Sequence, residues 1–532
     1  MLRLDPVPRS LLLGPLVTLL ALAACSDSGT NAPTGDPGPG ADVSGDTASD
    51  IEADPDTNED EPREDVTPPE EDVDEDGSED AAPEPQPDRQ VIVVGGASDL
   101  PDRFAAGDLR EGGPAVVYPA DGTMMPININ APLFQWEGPS NDAYRFRLDG
   151  RGVGLEVYTS DWKWQPDAQA WEVFADRMGG EEITLQVARL QGGQVVEGPR
   201  STMGLSRARV EGAIYYWAPS QAAIVRLEVG ATRPEAVVPG NVFSCAGCHA
   251  LSPDGSRIAY TRGAGTPIGN LGVIGTDSPP TVYQTERLSG YYPSFAPDNV
   301  RIAVSRNDRI VVIDTDTGRD EATLPMLEGT SAATHPAWSP SNAAVVFAAG
   351  AGGGFNPLGS LGISNAGLVR VPATGVGWGT PAWLVERGEA ADPNENLFYP
   401  AYSPDGNWVV FNRAMAAVGA GSSPAGSELW LANDQRVIRP VFLQRAQGPP
   451  GTTNSWPKWA PATEDGRLWI AFTSNRPYGR MSTAASQIWI ASVHPEEAYA
   501  GVDPSSAAYW MPGQELDVAN HVAYWAPVYT KE

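Results

Sequence analysis

Cys245-Ala246-Gly247-Cys248-His249 is the stretch of this chain whose residue types and spacing point most directly to a chemistry. Two cysteines separated by two residues and followed by histidine form the attachment pattern for c-type haem. The thiols add across the porphyrin vinyl groups, and the adjacent imidazole becomes an axial iron ligand. Two other readings use the same atoms. In an oxidising compartment the pair can close a small disulfide ring, with His249 incidental. With a fourth ligand from elsewhere it can hold zinc. Cys25 is the one other cysteine, so the pair is not a fragment of a larger disulfide framework.

The elements that must position this stretch emerge from the chain in order. At 532 residues the protein is long enough for two or three domains. Arg3 and Arg9 precede an apolar run, Leu11 to Leu22, that is too short to span a membrane comfortably. The run ends in Leu22-Ala23-Ala24-Cys25, which resembles the lipobox of bacterial lipoproteins. That resemblance implies cleavage before Cys25, acylation of its thiol, export, and a membrane anchor made of lipid alone. An ordinary secretory signal that leaves Cys25 free is the alternative. Ser26 after the cysteine points, by the rule of enteric bacteria, to the outer membrane, on its periplasmic face or at the cell surface.

Residues 26–90 hold 23 Asp and Glu against Arg63 and Arg89, so they carry −21 of the formal −33 and leave −12 for the rest. With almost nothing to bury, this stretch is expected to be a disordered, charge-extended linker. Asp72-Val73-Asp74-Glu75-Asp76-Gly77 matches the start of a calcium loop, but Pro83 stands where the bidentate Glu belongs. Weak calcium association is the most it predicts. The negative balance argues against phosphate-backbone contacts, hence against nucleic acid as a partner.

Residues 91–209 read as short alternating strands at Val116-Tyr118, Leu133-Trp136, Tyr144-Leu148, Gly154-Tyr158, Ile183-Ala188 and Met203-Ser206. Strands of that length and spacing predict a β-sandwich. Tyr118-Pro119-Ala120-Asp121-Gly122-Thr123, followed by Phe134-Gln135-Trp136, resembles the opening of a fibronectin type III-like domain. Trp136, Trp162, Trp164 and Trp171 are read as core and sheet-edge residues ahead of a glycan site.

From residue 210 to 532 one phrase returns six times: Leu251-Ser252-Pro253-Asp254-Gly255, Phe295-Ala296-Pro297-Asp298, Trp338-Ser339-Pro340, Tyr402-Ser403-Pro404-Asp405-Gly406, Trp459-Ala460-Pro461 and Trp525-Ala526-Pro527. Its prolines are spaced by 44, 43, 64, 57 and 66 residues, the period of propeller blades. The phrase resembles the TolB-type repeat, and Phe472-Thr473-Ser474-Asn475-Arg476 is similar to that family's strand end. The resemblance implies a six-bladed propeller. The Asp-Gly is missing from the third and last copies, and insertions follow Gly350 and Met415, which weakens any transfer of that family's binding surface. Strands at Ile214-Trp217, Ile224-Val229 and Glu235-Val238 lack the phrase, and the last copy leaves room for one strand, His521 to Tyr529. These four are expected to share one blade and close the ring, leaving no open edge.

Aligning the phrases places Cys248, Tyr292, His335, Tyr399, Trp456 and Val522 in one slot, with His249, Pro293, Pro336, Pro400, Pro457 and Ala523 next. That slot is expected at the start of each innermost strand, at a channel mouth where propellers bind ligands. His335 shares it, and His521 lies one position earlier. Either is a candidate sixth ligand, as are Met326, Met415, Met481 and Met511, or an ordinary loop residue. No hydrolase, nucleotide-binding or zinc-protease motif accompanies them. Two functions follow. One is a lipid-anchored envelope protein whose propeller carries one haem c for electron transfer or ligand sensing, with a redox partner. The other is a non-enzymatic envelope scaffold that binds a protein partner, with Cys245-Cys248 as a disulfide.

Overall fold

The computed structural model describes residues 88–529, apart from 96–97, 141, 239–245, 263–269, 278–279, 353–361, 390–391, 393, 420–423, 462–464 and 485. Cys25, the calcium-like stretch 72–77 and Cys245 therefore lie outside the described residues, and Cys248 is described by its backbone alone. None of the described helices is long and apolar enough to cross a membrane.

The repeated phrase does build blades. Six antiparallel sheets follow one another, five of four strands and one of five. The first blade joins Ala213–Ala218, Ala223–Glu228 and Glu235–Val238 to the final strand, His521–Ala526, with Ile214 opposite Trp525. The expected closure by both ends of the region is thus present, ending at Ala526. Ala246–Leu251, Tyr291–Phe295, Ala332–Trp338, Asn396–Tyr402 and Asn454–Trp459 are the innermost strands of blades two to six. Together with His521–Ala526 each touches the next around a ring.

The residue that opens each phrase packs between blades. Leu251, Phe295, Trp338, Trp459 and Trp525 are buried, and Tyr402 is nearly so. The proline that follows then turns the chain. In the second and fifth blades the turn ends in Gly255 and Gly406 at φ +73° and +74°. Asn299 and Asn342 take the left-handed conformation in the third and fourth, asparagine being the other residue that tolerates it. The missing Asp-Gly of the third copy is therefore replaced in kind.

Residues 88–206 form two facing sheets. One of eight strands runs Asp88–Val93, Val153–Thr159, Ala143–Asp149, Glu182–Gln191, Gln194–Glu197, Asp108–Glu111, with Ser201–Ser206 and Thr123–Pro126 added at its side. The other holds Val116–Tyr118, Phe134–Trp136 and Lys163–Trp164. All six strands expected from the alternation are present. Two features depart from an all-antiparallel sandwich. Three strand pairs are parallel. In addition, Ala168–Met178 is a helix, capped by Asp167 Oδ1 accepting from Ala170 N at 2.9 Å. Its apolar face, Trp171, Phe174, Ala175 and Met178, fills the core beside Phe134. Trp136, Trp164 and Trp171 are all buried there, as core residues should be.

One apolar cluster runs through the sandwich into the first, fifth and sixth blades. Tyr118 Oη accepts from Trp510 N at 3.1 Å, and its ring meets Tyr478 edge-on at 4.7 Å. Arg480 donates to the carbonyls of Trp136 at 2.9 Å and Gly138 at 2.6 Å. The sandwich is bolted to the sixth blade by its own core.

Candidate functional site

Each innermost strand breaks its pairing at the slot picked out by the repeat. The register shifts fall at 247–250, 291–294, 334–337, 398–401 and 455–458, and opposite 215–217 in the closing strand. Tyr292, His335, Tyr399, Trp456 and Val522 all sit there at φ between +49° and +55°. A bulky residue in that conformation costs about 1 kcal/mol or more and persists only where its surroundings enforce it. Three of the bulges share one visible support. The slot residue's N–H donates to a polar side chain on the second strand of the preceding blade: His335 to Ser305 Oγ at 3.2 Å, Trp456 to Asn412 Oδ1 at 3.0 Å, Val522 to Thr473 Oγ1 at 3.1 Å.

The slot therefore lies within the strand, at a bulge, and not at the strand's start. The bulge turns successive side chains into the central channel. His249, Tyr292, His335, Tyr399, Trp456, Lys458 and Tyr524 line it, with Pro293, Pro336 and Pro400 between them. His335 stands between Tyr292 and Tyr399, each edge-on at 4.4 Å, and Tyr399 stacks on Trp456 at 3.6 Å. His249 lies 5.3 Å from Tyr524, and the Lys458 ammonium also faces that ring, 4.7 Å from its centroid. The channel is filled by rings. About 10 Å³ of free space remains among them, roughly what one water centre occupies.

The titratable groups here are shifted by burial. His249 is 1% exposed, and burial pushes its imidazole down to about 4, against the favourable carbonyl of Tyr215. Its Nε2 reaches Tyr215 O at 3.4 Å, while Nδ1 has no partner. Burial, with the Lys458 charge adding to it, holds His335 well below its ordinary value, and neither of its nitrogens has a partner. Lys458 is pushed down to about 8 by the same desolvation.

Of the candidate ligands, the structure brings His249 and His335 into one channel. It keeps His521 out. One residue earlier along the strand, His521 turns to Ser486, with Nε2 2.8 Å from its Oγ, and lies near Trp217. The expectation that His521 is as good a candidate sixth ligand as His335 is corrected by that single step, since neighbouring strand residues point to opposite sides. Met326, Met415, Met481 and Met511 do not line the channel either. Lys458 was not a candidate from sequence. Its one signal is a charged residue two places after a slot, where the other blades carry Ala250, Ser294, Ala337, Ala401 and Tyr524.

A haem on His249 needs an open ring face and a slot for the macrocycle. The ring is enclosed, and about 10 Å³ stands against the roughly 300–1,000 Å³ of ordinary cofactor pockets. The described residues, as placed, do not fit the group. No set of three or more potential metal ligands occurs among the described residues.

Fold and site together define a class: a closed six-bladed propeller, fused to a β-sandwich, whose channel is narrowed by an aromatic and histidine lining. No family model matches the chain, and no curated protein does. Among solved structures it is similar to TolB from Acinetobacter baumannii, at 14% identity over 66% of this chain and 80% of that one, TM-score 0.38. It is likewise similar to a putative TolB from Agrobacterium tumefaciens, at 13% identity over 58% and 88%, TM-score 0.32. Hydrazine synthase from Kuenenia stuttgartiensis matches at 12% identity over 51% and 66%, TM-score 0.30. At such scores the propeller assignment rests on the sheet order itself.

Proposed function

We propose that this protein is a non-enzymatic binding scaffold of the bacterial cell envelope, anchored by lipid on Cys25 and engaging a protein partner through the outer surfaces of the propeller and sandwich. The observation that carries this reading is the narrowness of the channel, which is lined by the protein's own rings. Small-molecule sites are clefts of roughly 300–1,000 Å³; here about 10 Å³ is left among the rings that line the channel. Binding then falls to the exterior, which the acidic stretch 26–90 would hold away from the membrane. In this reading Cys245 and Cys248 form a disulfide suited to an exported protein.

The haem reading keeps one support, the Cys-x-x-Cys-His pattern itself. It requires the innermost strand of the second blade to leave its place and free His249 from Tyr524. One measurement separates the two: the intact mass and denatured absorbance of protein exported from cells with the haem-attachment machinery active. Scaffold protein should start at a diacylated Cys25, weigh two hydrogens less than its reduced form, and lack a Soret band. A Soret band that survives denaturation, with the mass of one added haem, overturns the scaffold reading.

A further inference from the structure

A cleft on the outside of the propeller has every lining polar side chain matched except one. It opens between Ala382–Val385, the last strand of the fourth blade, and residues 434–440, the loop that follows Glu428–Asn433 in the fifth. Leu384 and Ala432 line it from the buried side, and Val437, Ile438 and Pro440 complete its apolar wall. About 270 Å³ is free there, close to the lower end of the roughly 300–1,000 Å³ of ligand sites. The loop is fixed before anything binds. Asp434 accepts from Arg370 Nε at 2.8 Å and from Tyr402 Oη at 2.7 Å. Arg436 stands at φ +54°, its guanidinium donating to Trp383 O at 3.0 Å and Glu389 Oε1 at 2.7 Å. Asn433 Oδ1 accepts from the N–H of Gln435 at 3.1 Å, and its Nδ2 donates to Asn407 O at 3.3 Å.

Glu389 is satisfied at both oxygens, by Arg436 and by the Glu386 N–H at 2.8 Å. Arg439 is left. It is exposed and, among the described residues, has neither a carboxylate nor a hydrogen-bond partner. A guanidinium presents a planar fork that fits a carboxylate with two parallel bonds. Two Arg against one Glu make the lining locally positive on a chain of formal charge −33. Val437, 64% exposed, and Tyr499, 49% exposed, are both tied to Asn433 beside the cleft. Apolar groups left in water around a preformed cleft favour being covered. A matching ligand therefore brings an apolar side chain for the cleft and a carboxylate for Arg439. Chain ends are captured in nests of backbone N–H groups. Here Pro440 has none and the Val437 N–H is given to Asn433 Oδ1, so the carboxylate is that of a side chain.

We propose that this cleft between the fourth and fifth blades docks a partner protein, through an exposed segment in which an Asp or Glu of the partner lies next to a Leu, Ile or Val. The inference rests on the scaffold reading and adds where the exterior binds and by what chemistry.

The test uses the full chain. Short random peptides, displayed within a carrier loop and selected on the protein, should enrich an acidic residue beside an aliphatic one. The strongest of them, synthesised with a fluorescent label and a photoreactive group, should cross-link to residues 432–440. Replacing its acidic residue by the amide, or Arg439→Ala in the protein, should each weaken binding about tenfold. Both changes together should weaken it no further, and Arg439→Lys should keep part of the affinity. A selection that enriches no such pattern overturns the proposal, as do peptides that bind Arg439→Ala equally well or cross-link elsewhere on the exterior. Self-association of the chain that Arg439→Glu abolishes overturns it too, because a second copy is then the occupant. Peptides that bind elsewhere on the exterior leave the scaffold reading standing, and that reading falls separately, on a Soret band that survives denaturation.

Discussion

Acidification should destabilise this protein through His249, and the size of the effect follows from its surroundings. The imidazole is enclosed by Tyr215, Tyr524 and the channel lining, and burial lowers it from 6.5 to about 4. In the unfolded chain the same ring takes up its proton below about 6.5. Between those two values the unfolded state therefore binds one proton that the folded state refuses. The stability due to the neutral ring is intact above pH 6.5 and is lost as pH falls towards 4, at about 1.4 kcal/mol per pH unit. At pH 5 the loss is roughly 2 kcal/mol, and by pH 4 roughly 3 kcal/mol. His335, shifted in the same direction, adds to it.

The many carboxylates also titrate in this range, so the useful quantity is a difference between two proteins. His249→Phe keeps a ring beside Tyr524 and removes the titrating group. Urea unfolding of both proteins at pH 7 and pH 5 should show the variant gaining about 2 kcal/mol on the wild type as pH falls, whatever their order at pH 7. With only four histidines in the chain, imidazole NMR gives a direct check. The signals that disappear in His249→Phe and His335→Phe should not move between pH 7.5 and 5. If both move in that interval, the burial of these two rings is refuted.

Three further outcomes can be measured. Deleting residues 518–532 exposes the edge of Ala213–Ala218 and removes buried Val522 and Trp525; at about 2 kcal/mol for each side chain the loss is about 4 kcal/mol before any hydrogen bond is counted. The truncated chain should aggregate or unfold on size-exclusion chromatography, and a monomer with an unchanged midpoint speaks against closure. Arg480→Ala removes the donors to Trp136 and Gly138 and the cover over Trp162; it should cost about 2 kcal/mol and speed proteolysis between sandwich and propeller, and no change in either means the two domains do not depend on this contact. Cys25→Ser should abolish acylation and membrane fractionation, and a variant that still matures and sediments with membranes removes the lipid anchor from the proposal.

The blades were legible because their signal is repeated. A single Trp-Ala-Pro means little, but six such phrases at blade-like spacing, with three unmatched strands at one end and one at the other, leave few arrangements besides a closed ring. The helix Ala168–Met178 shows the opposite case. Trp171, Phe174, Ala175 and Met178 follow the i, i+3, i+4, i+7 pattern, with Asp167 as cap and Gly179 after the end. Its signal occurs once, among strands, and reading by alternation passes over it.

The channel was legible in its positions and not in its direction. Alignment alone puts Tyr292, His335, Tyr399, Trp456 and Val522 in one slot. What it does not convey is that the slot is a left-handed bulge, which decides whether a neighbouring residue lines the axis or leaves it. His521 differs from His335 by one step relative to that bulge, and the step sends it to Ser486. The bulge does leave a trace, in the polar residue on the preceding blade's second strand. Ser305 and Asn412 both stand eight residues after the phrase's proline, Thr261 stands at the same distance in the second blade, and Thr473 holds the place after an insertion. Ala348 is the exception, and it precedes Tyr399, whose ring instead stacks face to face with Trp456. A hydroxyl or amide in the middle of an apolar strand is costly unless it has a buried partner. Here the partner is the N–H that the next blade's bulge has taken out of its own ladder, so the polar residue and the channel-facing ring are two ends of one hydrogen bond. Thr473→Val should test that coupling: it leaves Val522 N–H without an acceptor at a cost of about 1–3 kcal/mol. If the bulge is set by the hydroxyl, the amide of Val522 should also lose protection from hydrogen exchange, whereas unchanged protection would mean that the ring packing alone holds it.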